Sequence, residues 1–152
     1  MGIVERTYGK TFGTVLWLIN PVKKIFKKTL CEVHVFINDN ALEILKNDGY
    51  SEAHKFYVEN RKSLNEGVVW ADKDFKSRDH FYNPFTHRGL YGCRSSLQRF
   101  GRYYRNAVVH WDCGDREKAI FYLGAAVHLI QDSTIPQHVN VNLLKSHKRF
   151  ED

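Results

Sequence analysis

The sequence predicts an all-α fold, and three observations carry the prediction. Apolar residues recur at helical spacing in several separate stretches, those stretches close on Asn, Asp or Gly stops, and no segment shows the alternation of a half-buried strand. A multi-helix bundle in one domain spanning residues 1–152 is expected, preceded within that span by a basic N-terminal segment at 1–29.

The elements follow in order. From about Pro21 to Lys46, Val22, Ile25, Phe26, Leu30, Val33, Phe36 and Ile37 keep helical spacing, continued by Ala41, Ile44 and Leu45, and Asn47-Asp48-Gly49 ends the run. Ser51-Glu52 starts a second helix, expected to reach about Leu64 and to stop at Asn65-Glu66-Gly67. Beyond the apolar Val68-Val69-Trp70, residues up to 90 are charged, aromatic and punctuated by Pro and Gly, so 68–90 is expected to be a long ordered loop. Loops of that length in compact domains usually serve a function. A third helix is expected over Tyr91 to Trp111, broken at Asp112-Cys113-Gly114. Asp115 is the expected N-cap of a strongly apolar helix from Arg116 to about Gln131. Pro136 falls in the turn after it, and a last helical segment is expected from near Asn142.

Composition narrows the function classes. Apolar residues make up 43% and charged residues 26%, ordinary for a soluble globular domain. No apolar run approaches the roughly 18 residues of a membrane-spanning helix. The longest, Phe12 to Ile19, is interrupted by Gly13-Thr14, and no small-x-small cleavage site follows it. A cytoplasmic location is the expectation, with secretion as the alternative if the N-terminus is processed. Three widely spaced cysteines agree with a reducing compartment. The net charge of +6 is concentrated in Lys23, Lys24, Lys27 and Lys28, beside Val22, Ile25 and Phe26. A run of this kind is usually the solvated face of a helix; its functional reading is contact with an anionic membrane surface or with nucleic acid. No protein partner is evident.

The chemistry concentrates near the end of the chain. His128 and Asp132 are an i, i+4 pair on the most apolar helix, so both project from one face. A carboxylate there is costly unless it is paired or bound to a cation. His138 follows across Pro136, and His147 with Glu151 repeats the i, i+4 pairing. Imidazole and carboxylate are the usual non-thiolate zinc ligands. One such pair is most often a simple hydrogen bond; two pairs and a further histidine in one short stretch point to a metal.

The run His128-Leu-Ile-Gln-Asp132-Ser-Thr-Ile-Pro136-Gln-His138 resembles the signature of bacterial zinc-dependent phospholipases C, which spaces His, Asp, Pro and His in this way. Phe121-Tyr122-Leu123-Gly124 resembles the segment just upstream of that signature, and His147-x-x-x-Glu151 its later pair. Asp79-His80-Phe81-Tyr82-Asn83-Pro84 is similar to the family's His-Phe-(aromatic)-x-Pro loop, Ala71-Asp72-Lys73-Asp74 to the acidic loop before it, and His34-Val-Phe-Ile to its first ligand helix. The resemblance runs collinearly from about residue 30 to the end. It implies an all-α bundle of the zinc-dependent phospholipase C type, with a metal cluster in its core cleft. It further implies three zincs. His80, His128 and Asp72 would hold the first, His138, His147 and Glu151 the second, and His34 the third, with Asp132 bridging the first and third. Asp72 would be the general base, and the reaction a phospholipase C-type hydrolysis of a phospholipid. Two other readings stand beside it: a single-strand nuclease of the same superfamily, which would act on nucleic acid, and a non-catalytic zinc-binding module.

This sequence also departs from the pattern. The Tyr after the first His is Leu129, the small residue before Asp is Gln131, and the Pro or Ala after the last His is Val139. The family completes its third zinc with a free N-terminal Trp, whereas Trp17 is internal here; two tight zincs and a weakly held third are therefore expected. The sequence stops just after Glu151, so the family's remaining helices are absent and truncation is expected. Cys31, a turn before His34, is a possible substitute ligand that more simply reads as a small buried thiol. His54, His87 and His110 lack patterned partners. Trp70, Phe81, Tyr82 and Phe85 could flank a substrate cleft, although aromatics in such a domain mostly fill its core.

Overall fold

The computed structural model describes residues 31–73, 79–90 and 94–139. Within them the chain forms α1 (Glu32–Asn47), α2 (Ser51–Glu59), α3 (Arg61–Asp72), α4 (Ser96–Asp112), α5 (Arg116–Asp132) and a single turn, α6 (Pro136–Val139). The described residues contain no strand, only an isolated bridge between Asn83 and Arg88. The all-α prediction holds. The basic segment with Lys23, Lys24, Lys27 and Lys28, and the last helical segment with His147 and Glu151, lie outside the described residues, as does Trp17.

The core is built on α5. Ala119, Ile120, Gly124, Ala125, Ala126 and Leu129 are all buried, so this helix is covered on most of its circumference by α3 and α4. Asp115 caps it as predicted, its carboxylate accepting from the Lys118 backbone N–H at 3.3 Å. On α3 the buried residues are Leu64, Gly67, Val68 and Ala71, an i, i+3, i+4, i+7 stripe facing α5. The two helices touch backbone to backbone. A methyl group placed on Gly67 would lie 1.8 Å from the Phe121 carbonyl oxygen, and one on Gly124 would lie 2.0 Å from that of Leu64. Ala71, Tyr103, Ala125, Ala126 and Leu129 fill the space where α3, α4 and α5 meet, with Trp70, Phe100 and Tyr122 packed around them.

This contact corrects the sequence reading of α2 and α3. The helix expected to end at Leu64 breaks earlier, at Asn60, whose side chain donates to the Phe56 carbonyl at 2.8 Å. The chain then resumes helix straight through Asn65-Glu66-Gly67 to Asp72, so Val68, Val69 and Trp70 are helical and not loop. Gly67 is no stop signal: its missing side chain is what lets α3 approach α5. Tyr91 to Cys93 lie outside the described residues, and α4 starts at Ser96, later than predicted, because Ser95 forms a capping box with Gln98. Pro136 is the first residue of α6, where its lacking N–H costs nothing.

The segment 79–90 is a loop, as expected, and it is anchored at several points. Buried Asp79 pairs with Arg99 of α4. The Ser96 N–H donates to the Phe81 carbonyl at 3.0 Å, and the Tyr82 N–H to the His138 carbonyl at 3.1 Å. Phe81 and Leu90 are buried. The loop is thus fastened to the start of α4 and to α6, with His80 between its anchors.

Candidate metal centre

Six of the residues singled out in the sequence meet below the end of α5. His128 and Asp132 come from α5, His34 from α1, Asp72 from the end of α3, His80 from the 79–90 loop and His138 from α6. His34, His80, His128, Asp132 and His138 are buried, and Asp72 is half-buried. His147 and Glu151 lie outside the described residues.

Asp132 is the hub. Its Oδ2 lies 2.8 Å from His80 Nδ1 and 3.2 Å from His128 Nε2. Its Oδ1 lies 3.5 Å from both His34 Nε2 and His138 Nδ1. Each carboxylate oxygen thus faces two imidazole nitrogens. The rings crowd together, with centroids 4.2 Å apart for His34 and His128 and 4.8 Å for His80 and His128. Two groups of donors have all their atoms within 4.8 Å of one another: His34, His128 and Asp132; and Asp72, His80 and His128.

Protonation follows from the neighbours. His80 Nε2 lies 3.2 Å from the Ala71 carbonyl, which can only accept, so this nitrogen carries the ring proton. In the neutral ring, Nδ1 then presents a lone pair toward Asp132 Oδ2. Two lone pairs at such a distance repel unless a positive charge lies between them. Asp132 Oδ2 accepts no well-aligned hydrogen bond despite its two close nitrogens, His128 Nδ1 is buried without a partner, and His128 Nε2 lies 3.3 Å from the same His80 Nδ1. Buried polar atoms left in this state are costly. A cation relieves them together, and an oxygen and nitrogen donor set of this kind fits zinc.

The charges agree. Burial pulls the Asp132 carboxyl upward, but His128, His138 and His80 outweigh it and hold the group well below the usual carboxylate range. His34 moves down, first through burial and then through the neighbouring His128, against the opposing pull of Asp132 and Gln131. The cluster therefore favours neutral His34 and anionic Asp132, the forms that coordinate metals.

The remaining expected residues fall elsewhere. Cys31 is the half-buried cap residue of α1 and is in neither donor group. His87 is exposed and bonded to the Tyr82 hydroxyl at 2.7 Å, and His110 stacks on Tyr122. His54 is half-buried on α2. Trp70 packs against Tyr103, Phe121 and Tyr122, and Phe81 against the His138 ring, so both are core residues. Phe85 is 90% exposed. Sequence reasoning missed Asp79 with Arg99, which fastens the His80 loop, and Gln131 with Asn38, which contacts His34. Asn38 stands one helical turn after His34, the only local hint of that link.

Comparison with known proteins agrees with this geometry. Residues 33–151 match the family model described as zinc dependent phospholipase C. A phospholipase C of Clostridium haemolyticum is 30% identical over 142 residues, covering 78% of this chain and 36% of that protein. Similar matches come from the phospholipases C of Paraclostridium bifermentans, at 28% identity over 82% of the chain and 37% of the relative, and of Clostridium perfringens, at 26% over 93% and 42%. The chain thus spans about two fifths of the length of these relatives. With the motif order, the helical fold and the histidine–aspartate cluster all in agreement, the chain belongs to the zinc dependent phospholipase C family.

Proposed function

We propose that the chain is a zinc-dependent phosphodiesterase that hydrolyses a phospholipid in the manner of phospholipase C. The observation that carries this reading is Asp132, a buried carboxylate with two imidazole nitrogens facing each oxygen. His80, His128 and Asp72 would hold one zinc, His34 and Asp132 would share another, and Asp132 would join the two. His138, near the same carboxylate, would hold a further zinc with His147 and Glu151. A bound zinc acidifies water and draws charge from a phosphoryl oxygen.

The residues supply the rest of the chemistry. His80 is held in one tautomer by the Ala71 carbonyl, so its Nδ1 keeps the lone pair that would bind a cation. Asp132 balances the positive charge that a phosphate diester would otherwise meet alone. Asp72, half-buried at the end of α3, would take the proton of the attacking water as general base. Phospholipid is favoured as substrate because each matched relative named above is a phospholipase C. The basic run Lys23, Lys24, Lys27 and Lys28 would assist at an anionic membrane surface.

The test is hydrolysis by the zinc-loaded chain of phosphatidylcholine vesicles and, separately, of single-stranded DNA. Release of phosphocholine, abolished in Asp72→Asn, is expected. Cleavage of DNA without lipid turnover would replace this reading with the nuclease, and zinc binding with neither activity would leave a binding module.

A further inference from the structure

Helix α1 is held to the bundle in an unusual way. Its two buried residues, His34 and Asn38, are both polar, while Phe36, Ile37 and Ile44 on the same helix stay exposed. An apolar pair would have docked the helix with no hydrogen bonds to satisfy. Instead a line of side chains crosses three helices. His34 Nδ1 lies 2.8 Å from Gln131 Oε1, Gln131 Nε2 donates to Asn38 Oδ1 at 2.8 Å, and Asn38 Nδ2 donates to Asn65 Oδ1 at 2.8 Å. The line starts at the buried centre and ends at half-buried Asn65 on α3.

Its direction has a chemical consequence. Gln131 Oε1 is a carbonyl oxygen and can only accept, so the His34 proton sits on Nδ1. The other nitrogen, Nε2, then keeps its lone pair, and Nε2 is the atom that faces Asp132 Oδ1 at 3.5 Å. Turning all three amides over would make Gln131 a donor to Nδ1 and move the ring proton to Nε2. That arrangement suits a hydrogen bond to Asp132 but excludes a cation shared with it.

We propose that Gln131, held by Asn38 and Asn65, is a positioning residue that sets the His34 tautomer so that Nε2 can share a cation with Asp132. The inference rests on the zinc reading of the centre. It assigns Gln131 no contact with substrate or metal; Gln131 acts through the ring it orients.

The test uses the full chain loaded with zinc and reads metal, not turnover. Nitrogen-15 NMR of the histidines, with the His34 signals assigned by their loss in His34→Gln, is expected to show a protonated Nδ1 and a metal-shifted Nε2. Competition with a chromophoric chelator is expected to show zinc held about 10- to 100-fold more weakly in Gln131→Met, which has nearly the same shape but offers only a weakly accepting sulfur. Gln131→Glu keeps the acceptor and is expected to stay closer to the wild type than Gln131→Met. In a His34→Ala background, Gln131→Met should change zinc affinity no further. Unchanged affinity in Gln131→Met overturns the proposal. So does a loss in Gln131→Glu as large as in Gln131→Met, which would mean the amide line only docks α1. Should Gln131→Met fail to fold, the wild-type NMR decides alone: metal on His34 Nδ1, or a proton on Nε2, refutes the proposal. A wild-type chain that takes up no zinc overturns the reading of the centre itself, before any variant is compared.

Discussion

His80 Nε2 sits 3.2 Å from the carbonyl oxygen of Ala71, the residue just before Asp72. One contact therefore ties the 79–90 loop to the end of α3, where Asp72, His80 and His128 form one donor group. It also fixes which nitrogen of His80 turns its lone pair toward Asp132. The cluster depends on such outer contacts as much as on its own donors.

Asp132 is expected to be indispensable for metal. Asp132→Asn keeps the shape but removes the charge that four imidazoles surround, and zinc affinity should fall more than about 100-fold. Exposed His87 serves as the control, and His87→Ala should leave zinc content unchanged. Elemental analysis of the wild-type chain should find at least two zincs; equal, small effects from both variants would make Asp132 an ordinary helix residue.

Chelation is expected to destabilise the fold. With zinc at a hundred times its dissociation constant, binding to one site contributes about 2.7 kcal/mol. For a domain of this size that corresponds to a drop in Tm of roughly 5–10 °C on metal removal. Calorimetry before and after verified removal measures it, and coincident melting curves would contradict the zinc reading.

Two glycines in helices should respond in opposite ways to alanine. Gly67→Ala puts a methyl 1.8 Å from the Phe121 carbonyl, so α3 and α5 must separate, at a cost of about 3 kcal/mol. The displacement should also weaken zinc binding, because Asp72 and Asp132 end these two helices. Gly101 on α4 has open space around it, and Gly101→Ala should stabilise by about 0.5–1 kcal/mol. Urea denaturation separates the two outcomes; a neutral Gly67→Ala would show that the helices do not cross so closely.

Asp79→Asn should loosen the His80 loop. It leaves Arg99, mostly buried and already with its Nε unbonded, without its charge partner. Breaking a buried pair from one side costs about 3 kcal/mol. Zinc should be lost from the group containing His80 while helix content stays. Wild-type zinc affinity in the variant would show that buried Phe81 and Leu90 and the backbone bonds to α4 and α6 hold the loop without the ion pair.

Acid should destabilise the chelated protein in two stages. The His34 pKa is lowered from 6.5, so the unfolded chain binds more protons than the folded one once the pH drops below that value, and stability falls with pH. Asp132 is held well below 3.8, so its contribution is present above that pH and is lost as the pH falls beneath it. Urea midpoints between pH 7 and 5 should fall with acidity, with a smaller slope in His34→Gln. A midpoint that rises toward pH 5 would reverse the assigned sign.

Much of this protein is written locally in its sequence. The helical period, the Asp115 cap and the i, i+4 placement of His128 and Asp132 on one face of an apolar helix depend only on residues within a few turns of each other. The motif order places the chain in its family on the same grounds. Tertiary structure decided the rest. Gly67 carries the local signal of a helix stop, yet α3 runs through it, because the Phe121 backbone occupies the place of its side chain. Nothing near Gln131 in sequence indicates that its amide meets His34 and Asn38, almost a hundred residues earlier. Helix periodicity is set by backbone geometry within one turn, so it can be read from spacing. Which nitrogen of His34 or His80 is left to face Asp132 is set by hydrogen bonds that exist only once α1, α3 and α5 have packed.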